Sequence, residues 1–449
     1  MSSFVTGEFF ASQIRKSQNI LVGGFGCCGA PEDLLKAIRE RFETTQEHLD
    51  LGIFFVSSVG DMQGAGIDNL AVNGLVKFAI GGFWGFTPNL SKMALDGLIK
   101  AHNWPLGVVK HWINSIAHGA DGFKTEVGFG TFIDPEYDGG VLNRKTKTLL
   151  KVHDFLGKKY IYYPAQRIDW ALLRGSYADR NGNISIDKEL LHGSCMSDAL
   201  SAKRFGGKVV VQVEKIVDTI PPKQVQIPGL VVDYIVVSQN PKINHKPSYG
   251  SSNINRSSQS PIPERRLALA KKAANEIGKE DRILNFGIGV PALVPRFLNC
   301  KNGHNLPITI ESGVIGGVPY DALSFGGAEN PEAIVDPTHV FNMYQGMGID
   351  ACVLGFAEID NHCRVNVSKF QNTLRGSGGF IDIVSASKKV VLCGFSKSST
   401  GKSKFVKEVE HITVDFSHPR FASKEVIIVT EEDKYRIFNG KLKTIKRDI

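Results

Sequence analysis

The 449-residue chain has no run of about 18 apolar residues, so no stretch reads as a membrane span. Its first residues, MSSFVTGEFFASQIRKSQ, lack the uninterrupted apolar stretch of a secretory leader. Cys-x-x-Cys pairs are missing too. The seven cysteines (27, 28, 195, 300, 352, 363 and 393) are spaced neither as a zinc site nor as a disulfide framework. An odd number of unframed cysteines fits a reducing compartment, and a cytoplasmic location is the expectation. No metal site is expected. No Ser/His/Asp arrangement stands out, and His339 and His362 have no motif around them. Aromatics are not interleaved with the lysines and arginines. The net charge of +8 therefore reads as a solvated basic surface rather than a nucleic-acid site. Such a field also suits a substrate carrying phosphates or carboxylates.

What is present is ordinary globular composition, 42% hydrophobic and 22% charged, which excludes a largely disordered chain. At about 150 residues per domain the length allows two to three domains. The clearest composition break is QNPKINHKPSYGSSNINRSSQSPIP, residues 239–263, read as an exposed linker between residues 1–238 and 264–449. After it, PERRLALAKKAANEIG predicts a helix with Leu267, Ala270, Ala274 and Ile277 on one face.

The two parts repeat one plan. NILVGGFGCCGAPEDLLKAI reads as strand, glycine turn, Pro31 and an amphipathic helix through Leu34, Leu35, Ile38 and Phe42; RILNFGIGVPALVPRFL reads as strand, glycine turn, Pro291 and helix. Deeper in, LRGSYADRNGNISIDK aligns with LGFAEIDNHCRVNVSK, pairing Asp179 with Asp360 and Lys188 with Lys369. The strands KVVV from Lys208 and KVVL from Lys389 follow at the same separation. Extra material falls in the first part between about residues 60 and 165. Strands alternating with helices point to largely parallel sheets, with the ligand crevice at the carboxyl ends of the strands.

At one such end the chain reads PITIESGVIGG, with Glu311 where an apolar strand gives out. Its counterpart is IFFVSSV, which sets Val56 opposite Glu311 and Ser57 opposite Ser312. Packing therefore does not demand an acid there, and a carboxylate in one copy alone is better explained by use than by a solvated or salt-bridged strand end. The turns GIGVP and GSGGF could offer backbone N–H groups to an oxyanion, or be tight turns only. Tyr344, Asn366 and Lys369 are polar groups among apolar ones. Gly24-x-Gly26-x-x-Gly29 matches a dinucleotide fingerprint, but the second strand ends in Val56, Ser57 and Ser58 with no acid. The turn could still offer N–H groups to an anion. Cys27 and Cys28 read as small packing residues.

GGFGCCGAP (23–31) resembles the first signature of the family I CoA-transferases, and ESGVIGGVP (311–319) resembles their second. The likeness runs through IGGFWGFTPNLSKMALD, GFGTFIDPEYDGG, SFGGAENPEAIVD, GIDACVLGFAEID, VNVSKF and GSGGFIDI. It is nearest to acetate/propionate-type enzymes with both halves fused. The resemblance implies two related α/β domains of the CoA-transferase (NagB/RpiA-like) fold, with the active site between them. It also implies Glu311 as nucleophile and coenzyme A as co-substrate, with no other cofactor. The expected activity is transfer of CoA from a short-chain acyl-CoA to a free carboxylic acid, by ping-pong kinetics through a glutamyl-CoA thioester. Gly289, Val290, Gly378 and Gly379 are the expected oxyanion donors, and Gly24, Phe25, Gly26, Gly287, Ser312 and Gly313 the expected CoA or acyl contacts. A homo-oligomer is expected. Gln345 and Met347 replace an Asp and a Gly usual in the subgroup. The alternatives are a catalytically weak relative that binds CoA or a partner protein, and an NAD-linked α/β enzyme.

Overall fold

Strand β3, Leu51–Ser57, is buried at every position, the pattern of a parallel strand covered by helices on both faces. It lies in an eight-stranded sheet with Ser3–Phe4 (β1), Asn19–Val22 (β2), Val76–Phe83 (β4), Lys100–Asn103 (β5), Trp170–Arg174 (β6), Lys208–Val213 (β7) and Tyr234–Val237 (β8). The order is β1-β8-β7-β6-β2-β3-β4-β5, and every pairing is parallel. Helix Glu32–Thr45 (α1) shares a core with the sheet's Ile20, Val22, Ile53 and Phe55, and Leu106–Ala117 (α2) packs on β3 and β4. Leu34, Leu35, Ile38 and Phe42 form the buried face of α1, as their spacing predicts. The computed structural model describes residues 2–193, 196–250, 262–298, 308–320, 322–438 and 440–445. Cys195, Cys300 and residues 251–261 lie outside them.

The second half holds a nine-stranded sheet of Leu284–Phe286 (β9), Ile308–Thr309 (β10), Val314–Ile315 (β11), Ala333–Ile334 (β12), Ile349–Leu354 (β13), Ser387–Cys393 (β14), Glu425–Val429 (β15), Lys434–Phe438 (β16) and Lys441–Ile445 (β17). Its order is β12-β11-β10-β9-β13-β14-β15-β16-β17. The central five strands are parallel and the outer ones antiparallel. Its helices include Glu264–Ala274 (α3), Pro337–Met347 (α4) and Phe380–Ala386 (α5).

The repeat is visible strand by strand. The run β8-β7-β6-β2-β3 in one sheet matches β15-β14-β13-β9-β10 in the other. Lys208, Trp170, Ile20 and Ile53 form one cross-strand row. Lys389, Ala351, Leu284 and Ile308 form the equivalent row. Counting along the strands from Ile53 and Ile308 puts Val56 and Glu311 at equivalent positions, as the sequence alignment has them. Asp179 accepts the N–H groups of Asn181 (2.9 Å) and Asn183 (3.0 Å). Asp360 accepts those of His362 (2.9 Å) and Arg364 (3.1 Å) in the same way. The repeated aspartates therefore hold hairpin turns. The extra material in the first half contains α2 and an antiparallel sheet of Gly122–Thr125, Lys158–Pro164 and Lys151–Phe155.

Two expectations need correction. The segment after Pro291 is not a second α1 but a 3-10 stretch, Pro291–Phe297, because Pro295 sits inside it and has no N–H to give. The described part of the 239–263 segment is not a loose exposed linker. His245 and Ser248 are buried, and the Arg174 guanidinium donates to His245 O (3.2 Å). Tyr249 N–H donates to Cys27 O (2.9 Å) and Gly250 N–H to Leu323 O (3.1 Å), so this strap touches both halves.

Candidate active site

Strand β10 gives out after Thr309. Ile310 N–H donates to Val314 O (2.9 Å) and Gly313 N–H to Ile310 O (3.0 Å), closing a tight turn with Glu311 and Ser312 at its tip. Gly313 has φ +104°, and a Cβ there would lie 2.0 Å from Val335 O, so only glycine fits. The buried Ser312 hydroxyl donates to Gly326 O. Ser312 and Gly313 thus shape the turn rather than line a cleft.

Glu311 does line one. A cleft of about 1220 Å³ runs between the halves, walled by Phe25, Ser57, Phe83 and Leu106 from the first and by Gly287, Gly289, Glu311, Gly378 and Gly379 from the second. A second cavity of about 760 Å³ shares Phe83, Phe86, Ile288 and Phe325 with it. Glu311 Oε2 is buried and has no hydrogen-bond partner among the described residues. Burial raises the pKa of the carboxyl, opposed by its own backbone N–H. A group held this way is neither a solvated strand end nor half of a salt bridge. An unpaired buried carboxylate is costly to keep.

Gly379 lies directly against it. A Cβ at Gly379 would sit 2.7 Å from Glu311 Oε1 and 2.9 Å from its Cγ. The GSGGF turn is fixed from the other half: Gly378 N–H donates to Gly82 O (3.0 Å), and Leu106 N–H donates to Gly378 O (3.0 Å). Ser377 N–H donates to Asn103 Oδ1 (2.8 Å). This corrects the expectation for Gly378, whose N–H is already engaged and cannot serve an oxyanion. The N–H groups of Gly289 and Gly379 have no backbone partner among the described residues. Val290 lies outside the cleft lining.

Of the glycine-turn residues in the first half, Phe25 reaches the cleft and Gly24 and Gly26 do not. Gly24 N–H donates to Gly193 O (2.9 Å), and Phe25 and Cys28 exchange backbone bonds (3.0 Å each). The start of α1 is covered as well. The Glu32 carboxylate accepts Gly66 N–H (2.9 Å) and the Tyr249 hydroxyl (2.6 Å), and Gln212 Oε1 takes Asp33 N–H (2.8 Å). Protein groups thus occupy the start of α1, which counts against the NAD reading. Cys27 and Cys28 are buried and free, and burial pushes the Cys28 thiol up to about 12, so both act as packing residues.

Asp382 carried no sequence signal, and Tyr344 stood out only as a polar group among apolar ones. Asp382, in the first turn of α5, is buried and accepts Gly107 N–H (2.9 Å) at the start of α2 in the other half. Beneath Glu311, Tyr344 meets Thr309 and Asn285 in a buried network. No helix among the described residues is long and apolar enough to cross a membrane.

A doubled α/β fold with a carboxylate, Glu311, set in the cleft between its halves places the chain among two-lobed α/β proteins with a site between the lobes. A family model described as Coenzyme A transferase matches residues 7–238. The chain is 33% identical to the caffeate CoA-transferase of Acetobacterium woodii over 99% of this chain and 91% of that one. It is 36% identical to the acetate CoA-transferase YdiF of Escherichia coli K12 over 80% and 70%. The crystal structure of YdiF apoenzyme from E. coli O157:H7 superposes with a TM-score of 0.90 at 31% identity, covering 99% of this chain and 89% of that one. A thioester complex of that enzyme with CoA matches with a TM-score of 0.89. The chain belongs to the coenzyme A transferase family and is a CoA-transferase.

Proposed function

We propose that this enzyme moves CoA from an acyl-CoA to a free carboxylic acid by a ping-pong route through a thioester on Glu311. One observation carries the reading: Glu311, whose Oε2 is buried and unpartnered among the described residues, faces a cleft between the halves that Gly289 also lines, with Gly379 directly against its carboxylate. Glu311 attacks the thioester carbonyl; its C–S bond breaks, leaving an acyl-glutamyl anhydride and CoA thiolate. The thiolate attacks the glutamyl carbonyl, expelling the free acid and forming glutamyl-CoA. An incoming carboxylate attacks that thioester and re-forms an anhydride and thiolate. The thiolate then takes the acyl carbonyl, and Glu311 leaves as carboxylate. Protons balance without a general acid, since every nucleophile and leaving group is an anion.

A carboxylate is a weak nucleophile, so its surroundings must help. Desolvation removes the water that would otherwise quench it. The Gly289 and Gly379 N–H groups supply donors for the tetrahedral oxyanion, each worth about 3 kcal/mol by the usual measure. Phe25 and Gly287 bound the space that the acyl and pantetheine groups share. A cytoplasmic homo-oligomer is part of the proposal.

For the acid, the family resemblance favours a short chain. A second reading, an aromatic acid, has its own support in the 760 Å³ cavity walled by Phe83, Phe86 and Phe325, and in the relative named for caffeate. The test is incubation with acetyl-CoA, hydroxylamine or borohydride trapping, and mass spectrometry of the modified peptide, followed by exchange assays with acetate and with cinnamate. The expected adduct is on Glu311, and Glu311→Asp, which withdraws the carboxylate by about 1 Å, loses about a hundredfold in kcat. Near-full turnover in that variant sinks the assignment. CoA binding without any adduct would instead identify a binding protein. A kcat/KM for cinnamate above that for acetate would decide for the aromatic acid.

A further inference from the structure

The two sheets differ at more than Glu311. The row equivalences that match Val56 with Glu311 also match Leu21 with Asn285 and Phe54 with Thr309. Leu21 pairs with Phe54 across its strands, and Asn285 pairs with Thr309 across theirs. Thr309 is the last strand residue before the turn that carries Glu311, and the Glu311 charge acts on Tyr344 beneath it. In the first half the two matching positions are apolar: Leu21 and Phe54 are buried, and Phe54 meets Trp112 of α2 edge to face, with ring centres 5.6 Å apart.

The second half fills these positions with a polar chain. Asn285 Nδ2 donates to the Tyr344 hydroxyl (3.1 Å) and to Thr309 O (3.1 Å). The Tyr344 hydroxyl donates to Thr309 Oγ1 (2.9 Å), and the Thr309 hydroxyl donates to Leu284 O (3.0 Å). Asn285 and Tyr344 have no exposed surface, and Thr309 has 2%. Burial, with the charge of Glu311 adding, holds the Tyr344 phenol far above its usual range, so it stays a donor. The first half shows that this scaffold closes without any of these polar groups. Such a network is expensive to satisfy in a core that the other copy fills with Leu, Phe and Trp.

We infer that Asn285, Thr309 and Tyr344 are positioning residues that clamp the end of β10 to α4 and β9 and so set the reach of Glu311 into the cleft. The inference rests on Glu311 being the nucleophile. The network touches β10 two residues before Glu311, at its last ordered strand position, and no side-chain bond holds the Glu311 Oε2 itself. The backbone beneath it is what remains to fix its position.

The test makes these positions apolar. In Asn285→Leu/Thr309→Val/Tyr344→Phe, the melting temperature and the rate of glutamyl-CoA formation from acyl-CoA are measured together. The expected result is a melting temperature at or above that of the wild type, thioester formation slowed about tenfold or more, and an unchanged KM for acyl-CoA. Should the triple variant fail to fold, single substitutions decide: Thr309→Val is slow, and Thr309→Ser, which keeps the hydroxyl, recovers most of the lost rate. Thioester formation within about twofold of wild type in the folded variant overturns the inference. So does a loss that follows melting temperature alone and is not recovered by Thr309→Ser. Failure of the underlying reading looks different, because then wild-type enzyme itself yields no adduct on Glu311.

Discussion

At the scale of single residues, two buried carboxyls near one another do different work. Glu311 was legible in the sequence because its counterpart is Val56, and a repeated strand supplies its own control. Asp382 was not legible: an acid in the first turn of a helix is commonplace, and the group it serves, Gly107, lies 275 residues away. Burial pushes the Asp382 carboxyl up to about 7, opposed by the N–H groups of Gly107 and Val108 and reinforced by the charge of Glu311. The folded state therefore holds a proton here that the unfolded chain, with a carboxyl near its ordinary value of about 3.9, has released. By linkage, the stabilisation is fully present below about pH 4, falls as pH rises towards about 7, and is constant above that. Asp382→Asn keeps an acceptor for Gly107 and cannot ionise. Thermal melts between pH 4 and 8 are expected to show the wild type losing on the order of a few kcal/mol relative to the variant across that window. Parallel curves for the two proteins would show that Asp382 does not titrate there.

At the scale of elements, the glycine turns were visible as turns, but which N–H groups remain free was not. The GSGGF turn is tied to the first half through Gly378, and that bond removes one of the expected donors while it sets the next residue, Gly379, against Glu311. Sequence spacing treats the two glycines alike; only the partner strand, whose Gly82 O takes the Gly378 N–H, tells them apart. The helix expected after Pro291 fails for a local reason, since Pro295 lies inside the segment and has no N–H to donate. Gly379→Ala is a direct test of this element. Its Cβ would press on Glu311 Oε1 at 2.7 Å, in a place where either the Glu311 side chain or the turn must move. The expected outcome is a kcat lower by about a hundredfold with a stability cost of about 1–3 kcal/mol. Calorimetric titration should still show CoA binding, since Gly379 abuts the carboxylate and not the length of the cleft. Unimpaired kcat would mean that Glu311 has room the structure does not show.

At the scale of the whole molecule, the doubled fold was legible because two sequence matches kept one separation, and that separation reappears as cross-strand rows in both sheets. What the sequence hid is how the halves are joined. A Ser/Asn/Pro-rich composition signals exposure, yet its described part is anchored by groups scattered through the first half. The Arg174 guanidinium, the Glu32 carboxylate and the Cys27 carbonyl all bind residues between His245 and Tyr249. From there Ser248 and Ser324 share a hydroxyl bond (3.0 Å) across to the second half. Further bonds cross directly: Trp84 N–H to Arg375 O (2.6 Å), Gly378 N–H to Gly82 O (3.0 Å) and Gly107 N–H to Asp382. Two sheets held by such bonds around a common cleft do not depend on a peptide connection to stay in register. Co-expression of residues 1–250 with residues 251–449 is therefore expected to give a complex that co-purifies and turns over within a few-fold of the intact chain. The same complex with Trp84 and Arg375 left in place but Asp382→Ala introduced should dissociate more readily on dilution, because Gly107 and Val108 then lose their acceptor at a buried helix start. Halves that never associate would show that the connection between Gly250 and Ile262 carries structural weight beyond proximity.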